Sequence, residues 1–147
     1  MTSVRYDTVT IGDELTPLPI PLDRSLIVAA AIASRDYQDV HHDPELAQAK
    51  GSKDIFMNIL TTNGLIGRYV TDWAGPDAVI KSVAIRLGAP NYPGDTMTLT
   101  GTVTGKEDGA DGGGTVDVSI IGKNDLGNHV TGTVTVALAA STGEIAR

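Results

Sequence analysis

The sequence predicts an α+β domain in which a curled antiparallel β-sheet wraps around a long central helix. Three observations carry that expectation. Helical periodicity is confined to the first half of the chain. From Ala78 onward β-formers dominate. The longest helical pattern, Asp54–Trp73, is apolar on more than one face, so one sheet covers it on one side only. The length of 147 residues suits one domain, 1–147.

The elements follow in order. Thr16-Pro17-Leu18-Pro19-Ile20-Pro21 alternates proline with other residues, which favours an extended segment and an edge strand. Asp23 can cap a helix from Arg24 to about Ala33, whose alanines and aliphatics suggest burial nearly all round. Ser34–Asp43 is polar and irregular. Pro44–Lys50 reads as one or two helical turns, with Asp43 as N-cap and Gly51 as the stop. In Asp54–Trp73, the residues Ile55, Ile59, Leu60, Asn63, Ile66, Tyr69, Val70 and Trp73 keep i, i+3/i+4 spacing, and Asp54 can cap. Gly64 and Gly67 inside that helix each cost about 1 kcal/mol against alanine, which suggests close approach of another backbone. Gly75-Pro76 ends it. Strands are expected at Ile80–Leu87, Thr96–Lys106, Thr115–Lys123 and Val130–Ala139, forming a meander. Glu107–Gly114 is a turn, and Asn124–Asn128 connects a hairpin. Ser141–Arg147 is expected to fray.

Composition excludes several functions. Without cysteine there is no disulfide framework, thiolate zinc site or cysteine nucleophile. A net charge of −7 argues against nonspecific nucleic-acid binding and against docking on anionic membranes. The most apolar run, Leu26–Ala33, falls well short of the roughly 18 residues of a membrane span. Met1–Leu15 carries Asp7, Asp13 and Glu14 and lacks the apolar centre of a secretory signal, so the expected location is cytoplasmic.

The chemistry concentrates in Ser34-Arg35-Asp36-Tyr37-Gln38-Asp39-Val40-His41-His42-Asp43. Histidine exchanges protons near neutral pH, and a carboxylate brought round by an irregular turn can share a water with it. Such a pair suits adding or removing water across an activated double bond. His41-His42-Asp43 as a metal site is disfavoured, because adjacent side chains diverge. His42 and Asp39 read as supporting or solvated residues, His129 as structural, and Trp73 and Phe56 as core. Gly112-Gly113-Gly114 lacks the G-K-[ST] and the following helix of a phosphate loop.

This stretch resembles the signature of the MaoC-like enoyl-CoA hydratase family, a hot-dog fold. There an aspartate and a histidine are separated by four residues, commonly Asp-x-Asn-Pro-aliphatic-His, with an acidic residue two further on. Here Asp36-Tyr37-Gln38-Asp39-Val40-His41 and Asp43 keep the spacing, while Gln38 and Asp39 replace Asn-Pro. Ile11-Gly12-Asp13-Glu14-Leu15, Pro93-Gly94-Asp95 and Asn124–Gly127 extend the resemblance over about residues 5–139. Gly51-Ser52-Lys53-Asp54-Ile55-Phe56 and Tyr69–Pro76 make the chain similar to the small MaoC-like subunit of actinobacterial steroid side-chain hydratases.

The resemblance implies a hydro-lyase acting on an enoyl-CoA, with a steroid side chain as acyl group. It implies Asp36 and His41 as catalytic residues, no metal or redox cofactor, and a hetero-oligomer with a second MaoC-like chain. The family usually carries His-Gly at the start of the central helix, where the glycine N–H binds the thioester oxygen. Asn58-Ile59 stands there, and their backbone N–H groups are the corresponding candidates. Lys50, Lys53, Arg68, Lys81 and Arg86 are candidates for the CoA phosphates, with the partner as another source of positive charge. A hot-dog thioesterase, a fatty-acid-synthesis 3-hydroxyacyl dehydratase and a non-catalytic subunit of a hydratase complex remain alternatives at this point.

Overall fold

The computed structural model describes residues 2–141. It contains, in order, β1 (Glu14–Pro21), α1 (Arg24–Ala33), α2 (Pro44–Ala49), α3 (Ile59–Ala74), β2 (Val79–Leu87), β3 (Thr96–Asp108), β4 (Gly114–Asn124) and β5 (Gly127–Leu138). Short 3-10 turns lie at Tyr6–Thr8 and Asp39–His41. The strands form one antiparallel sheet in the order β1-β3-β4-β5-β2.

Alternation builds the inner face of the sheet. Met97, Leu99 and Val103 of β3, Val116, Val118 and Ile120 of β4, and Val130, Val134 and Val136 of β5 are all buried. Against them α3 lays Ile66, Tyr69, Val70 and Ala74. Each fully buried aliphatic side chain stabilises the fold by about 1.5–3 kcal/mol. This is the sheet curled over a central helix that the sequence predicts, the hot-dog arrangement.

The strands do not run as one meander. Only β3-β4-β5 do. β2 pairs with β5 at one edge and β1 with β3 at the other, so both flank the sheet that holds α3. The connection from β2 to β3, residues 88–95, therefore has to pass the ends of the central strands. Pro17, Pro19 and Pro21 place no N–H donors on the β1 edge, which blocks further pairing there. The β2 edge has no proline and leaves Val79 and Leu87 exposed.

Three local expectations are corrected. The central helix begins at Ile59, not Asp54, and its N-cap is Asn58. The N–H groups of Phe56 and Met57 are drawn to the carbonyls of Val40 and Asn91, which holds this stretch outside the helix. Asp54 instead receives two hydrogen bonds from Arg24, at 3.0 and 2.6 Å. Neither Gly64 nor Gly67 lies under another backbone: a Cβ at Gly64 would meet open space, and one at Gly67 only the Ile80 side chain at 3.7 Å. The close approach is provided by the sheet, where a Cβ at Gly101 would sit 3.2 Å from the Tyr69 ring. Finally, α1 buries one face only. Ile27 and Ala31 are buried, with α3 and the Asp39–His41 turn packed against the helix, while Ile32 and Ala33 are exposed.

Of the segment expected to fray, Ser141 is tied down: its N–H and hydroxyl donate to the Asp7 carboxylate. Residues 142–147 lie outside the described residues.

Candidate active site

The site is assembled where α1 ends and α3 begins. Asp23 caps α1 through the Leu26 N–H at 2.6 Å. At the other end the N–H of Asp36 bonds to the Ala31 carbonyl and that of Arg35 to Ile32, the two crossed bonds of a Schellman ending. Arg35 occupies the left-handed position of that motif, with φ +58°, where glycine is preferred. The turn delivers Asp36 directly into the cleft. Replacing Arg35 with glycine relieves the strain, and Arg35→Gly should raise unfolding stability by about 0.5–1 kcal/mol. Urea denaturation checks this; an unchanged or lower stability contradicts it.

Beyond Asp36 the chain makes the 3-10 turn Asp39–His41 and then α2, capped by Asp43 through the N–H groups of Glu45 and Leu46. Asp43 is thus a helix cap. The turn buries His41, which is 5% exposed, and leaves His42 in solvent. Asp39 pairs with Lys50 at 3.0 Å on the surface.

His41 Nδ1 lies 2.7 Å from the carbonyl oxygen of Phe56. A carbonyl can only accept, so Nδ1 carries the hydrogen. In the neutral ring Nε2 then presents its lone pair, 3.3 Å from Asp36 Oδ2. Asn58 donates its amide N–H to that oxygen at 3.1 Å. This bond, helped by the Gln38 N–H, holds the Asp36 carboxyl below the usual carboxylate range, against an opposing effect of burial. Asp36 is therefore an acceptor at neutral pH. Two acceptors 3.3 Å apart can share one water that donates a hydrogen to each.

The pair opens on a cleft of about 310 Å³ lined by Asp36, His41, Asn58, Ile59, Leu87 and His129, among others. Phe56, expected as core, is only half-buried; it packs edge-on against His41 with ring centroids 5.0 Å apart and also lines the cleft. Trp73 is half-buried against the core. The N–H groups of Asn58 and Ile59 have no partner among the described residues, as expected at a helix start.

Sequence reasoning placed His129 in a structural role and did not place it beside this cleft. It is 2% exposed. Its Nδ1 donates to the Ala89 carbonyl at 2.7 Å, and its Nε2 bonds the Thr62 hydroxyl at 2.9 Å. Burial pushes it below the ordinary histidine value, so it stands neutral. The Asn58 side chain was also missed; an asparagine three residues before a threonine was its only local signal. None of Lys50, Lys53, Arg68, Lys81 and Arg86 lines the cleft. Arg68 pairs with Asp72, and Lys53 lies 5.9 Å from the Tyr92 ring centroid. Among the described residues, Lys81 and Arg86 on the β2 edge carry no ion pair.

The class that this fold and this Asp–His cleft define is a hot-dog hydro-lyase. The chain belongs to the MaoC-like family: the family model described as MaoC like domain matches residues 7–124. The 3-oxo-4,17-pregnadiene-20-carboxyl-CoA hydratase beta subunit of Mycobacterium tuberculosis is 51% identical over 131 residues, which is 89% of this chain and 98% of that protein. A chain in the crystal structure of the ChsH1-ChsH2 complex from Mycobacterium tuberculosis is 50% identical with a TM-score of 0.84, covering 89% of this chain and 99% of the other. R-hydratase PhaJ1 from Pseudomonas aeruginosa, at 18% identity and a TM-score of 0.82 over 95% of this chain and 88% of its own, shares the fold. No helix among the described residues is long and apolar enough to cross a membrane.

Proposed function

We propose that this chain is the catalytic subunit of an enoyl-CoA hydratase. The observation that carries the reading is the pairing of Asp36 with a His41 whose tautomer is set by the Phe56 carbonyl, leaving Nε2 and Oδ2 3.3 Å apart. The water held between them attacks Cβ of the enoyl thioester. As the C–O bond forms, the double-bond electrons move to Cα and the thioester oxygen, and the water's proton passes to Nε2. The enolate charge is met by the N–H groups of Asn58 and Ile59. Asp36 takes part in returning the proton to Cα by steadying the imidazolium beside it. The net change is one water added across the double bond, with no metal or redox cofactor.

The 51% identity to a steroid-CoA hydratase beta subunit supports a steroid side-chain enoyl-CoA as substrate. A CoA thioester also fits the cytoplasmic location expected from the sequence. The likeness to a chain of the ChsH1-ChsH2 complex supports assembly with a second MaoC-like chain. So do the open β2 edge and the exposed Ile59 and Leu87 of the cleft wall.

Co-expression with such a chain followed by mass measurement tests the assembly, and turnover of a trans-2-enoyl-CoA tests the chemistry. The expected result is a hetero-oligomer that forms 3-hydroxyacyl-CoA, unaffected by EDTA. A stable, fully active monomer of about 15.3 kDa contradicts the shared cleft, and loss of activity with EDTA contradicts the metal-free mechanism.

A further inference from the structure

The side chain of Asn58 joins two parts of the molecule that the reaction needs together. Its Oδ1 accepts the Thr61 N–H at 3.0 Å, and the Thr61 hydroxyl also donates to it, capping α3. A backbone N–H can only donate, so the amide oxygen is committed to the helix. That fixes which way the amide is turned: its NH₂ must point back toward α1. There it donates to Ser34 Oγ at 3.0 Å and to Asp36 Oδ2 at 3.1 Å. Ser34 in turn donates to the carbonyls of Ala30 and Ala31 in the last turn of α1. Asn58 is 2% exposed, so water does not readily replace these bonds.

We infer that Asn58 is a positioning residue, one that fixes the Asp36 carboxylate against His41 by tying it to the cap of the central helix. The inference rests on the reading that Asp36 and His41 are the reacting pair. The oxygen that Asn58 holds is the same one that faces His41 Nε2. A donor at that oxygen favours the ionised carboxyl and fixes its rotation, so its remaining lone pair stays aimed into the cleft. A helix cap alone would require only Oδ1. The amide nitrogen is what distinguishes asparagine here from serine or aspartate, which cap as well.

Two variants separate the roles. Asn58→Ser keeps a good cap but has no amide to reach Asp36. Asn58→Asp keeps the cap acceptor, loses the donor and sets a like charge beside Asp36. The measurement is a carbon-13 NMR titration of the Asp36 carboxyl in the assembled protein, its signal identified by disappearance in Asp36→Asn. The expected midpoint rises in Asn58→Ser and further in Asn58→Asp. Turnover should fall by about tenfold or more with KM little changed, while the thermal midpoint of Asn58→Ser stays near that of the parent. An Asp36 midpoint unmoved in both variants overturns the inference and leaves Asn58 a helix cap. If Asn58→Ser does not fold, Asn58→Thr, which also caps and also lacks the amide, takes its place. A moved midpoint in a protein that hydrates no enoyl-CoA keeps the tie and removes the hydratase reading. An unmoved midpoint in an active hydratase removes only the tie.

Discussion

Asp36→Asn and His41→Ala should each lower hydration by about 10²–10⁴-fold, the usual contribution of a general acid or base. The Asp36 change is nearly isosteric, so its effect is chemical. Its amide oxygen must take the Oδ2 position to accept the Asn58 N–H, so it faces His41 Nε2 as a neutral acceptor in place of the carboxylate. The charge that steadies the imidazolium beside it is then lost. His41→Ala removes the base outright and leaves space beside Phe56, against which the ring packs edge-on. Steady-state kinetics on the assembled protein, with circular dichroism and thermal unfolding to show that the fold persists, measures both. Near-parental turnover in either folded variant refutes the assignment of that residue.

The largest loss of stability is expected from Ile66→Ala. Ile66 is fully buried on the face of α3 that meets the sheet. Truncation removes its transfer energy and leaves a cavity that β3, β4 and β5, locked in register with one another, cannot close. Such changes cost about 2–5 kcal/mol, a large part of the roughly 5–15 kcal/mol that holds a domain together. Urea denaturation monitored by Trp73 fluorescence measures the loss. A cost below about 1 kcal/mol would mean that α3 is not the centre of the core.

Much of the fold could be read locally. Alternation in β3, β4 and β5, proline in β1 and the Asp23 and Asp43 caps are short-range signals, and each appears where the sequence places it. The start of the central helix could not be read so, because Asp54 and Asn58 are both capping residues followed by aliphatics. The choice between them depends on Val40 and Asn91, whose carbonyls draw the Phe56 and Met57 N–H groups away. Strand order was hidden for a similar reason. β2 is strand-like whether it joins β3 or β5, and only closure around α3 decides. The spacing of Asp36 and His41 was visible, along with the chance of a shared water. The tautomer of His41 and the grip of Asn58 were not, since both come from residues 15 and 22 positions away along the chain. His129 enters the cleft wall through a Thr62 contact 67 positions away, beyond any local pattern.

In the proposed reaction one water, held between Asp36 and His41, adds to Cβ of an enoyl thioester. Turnover in oxygen-18 water, followed by mass analysis of the product, tests it most directly. The predicted product is 3-hydroxyacyl-CoA with one oxygen-18 in the new hydroxyl group and the thioester intact. Oxygen-18 in a released carboxylate, with free CoA alongside it, would contradict the claim and make the chain a thioesterase.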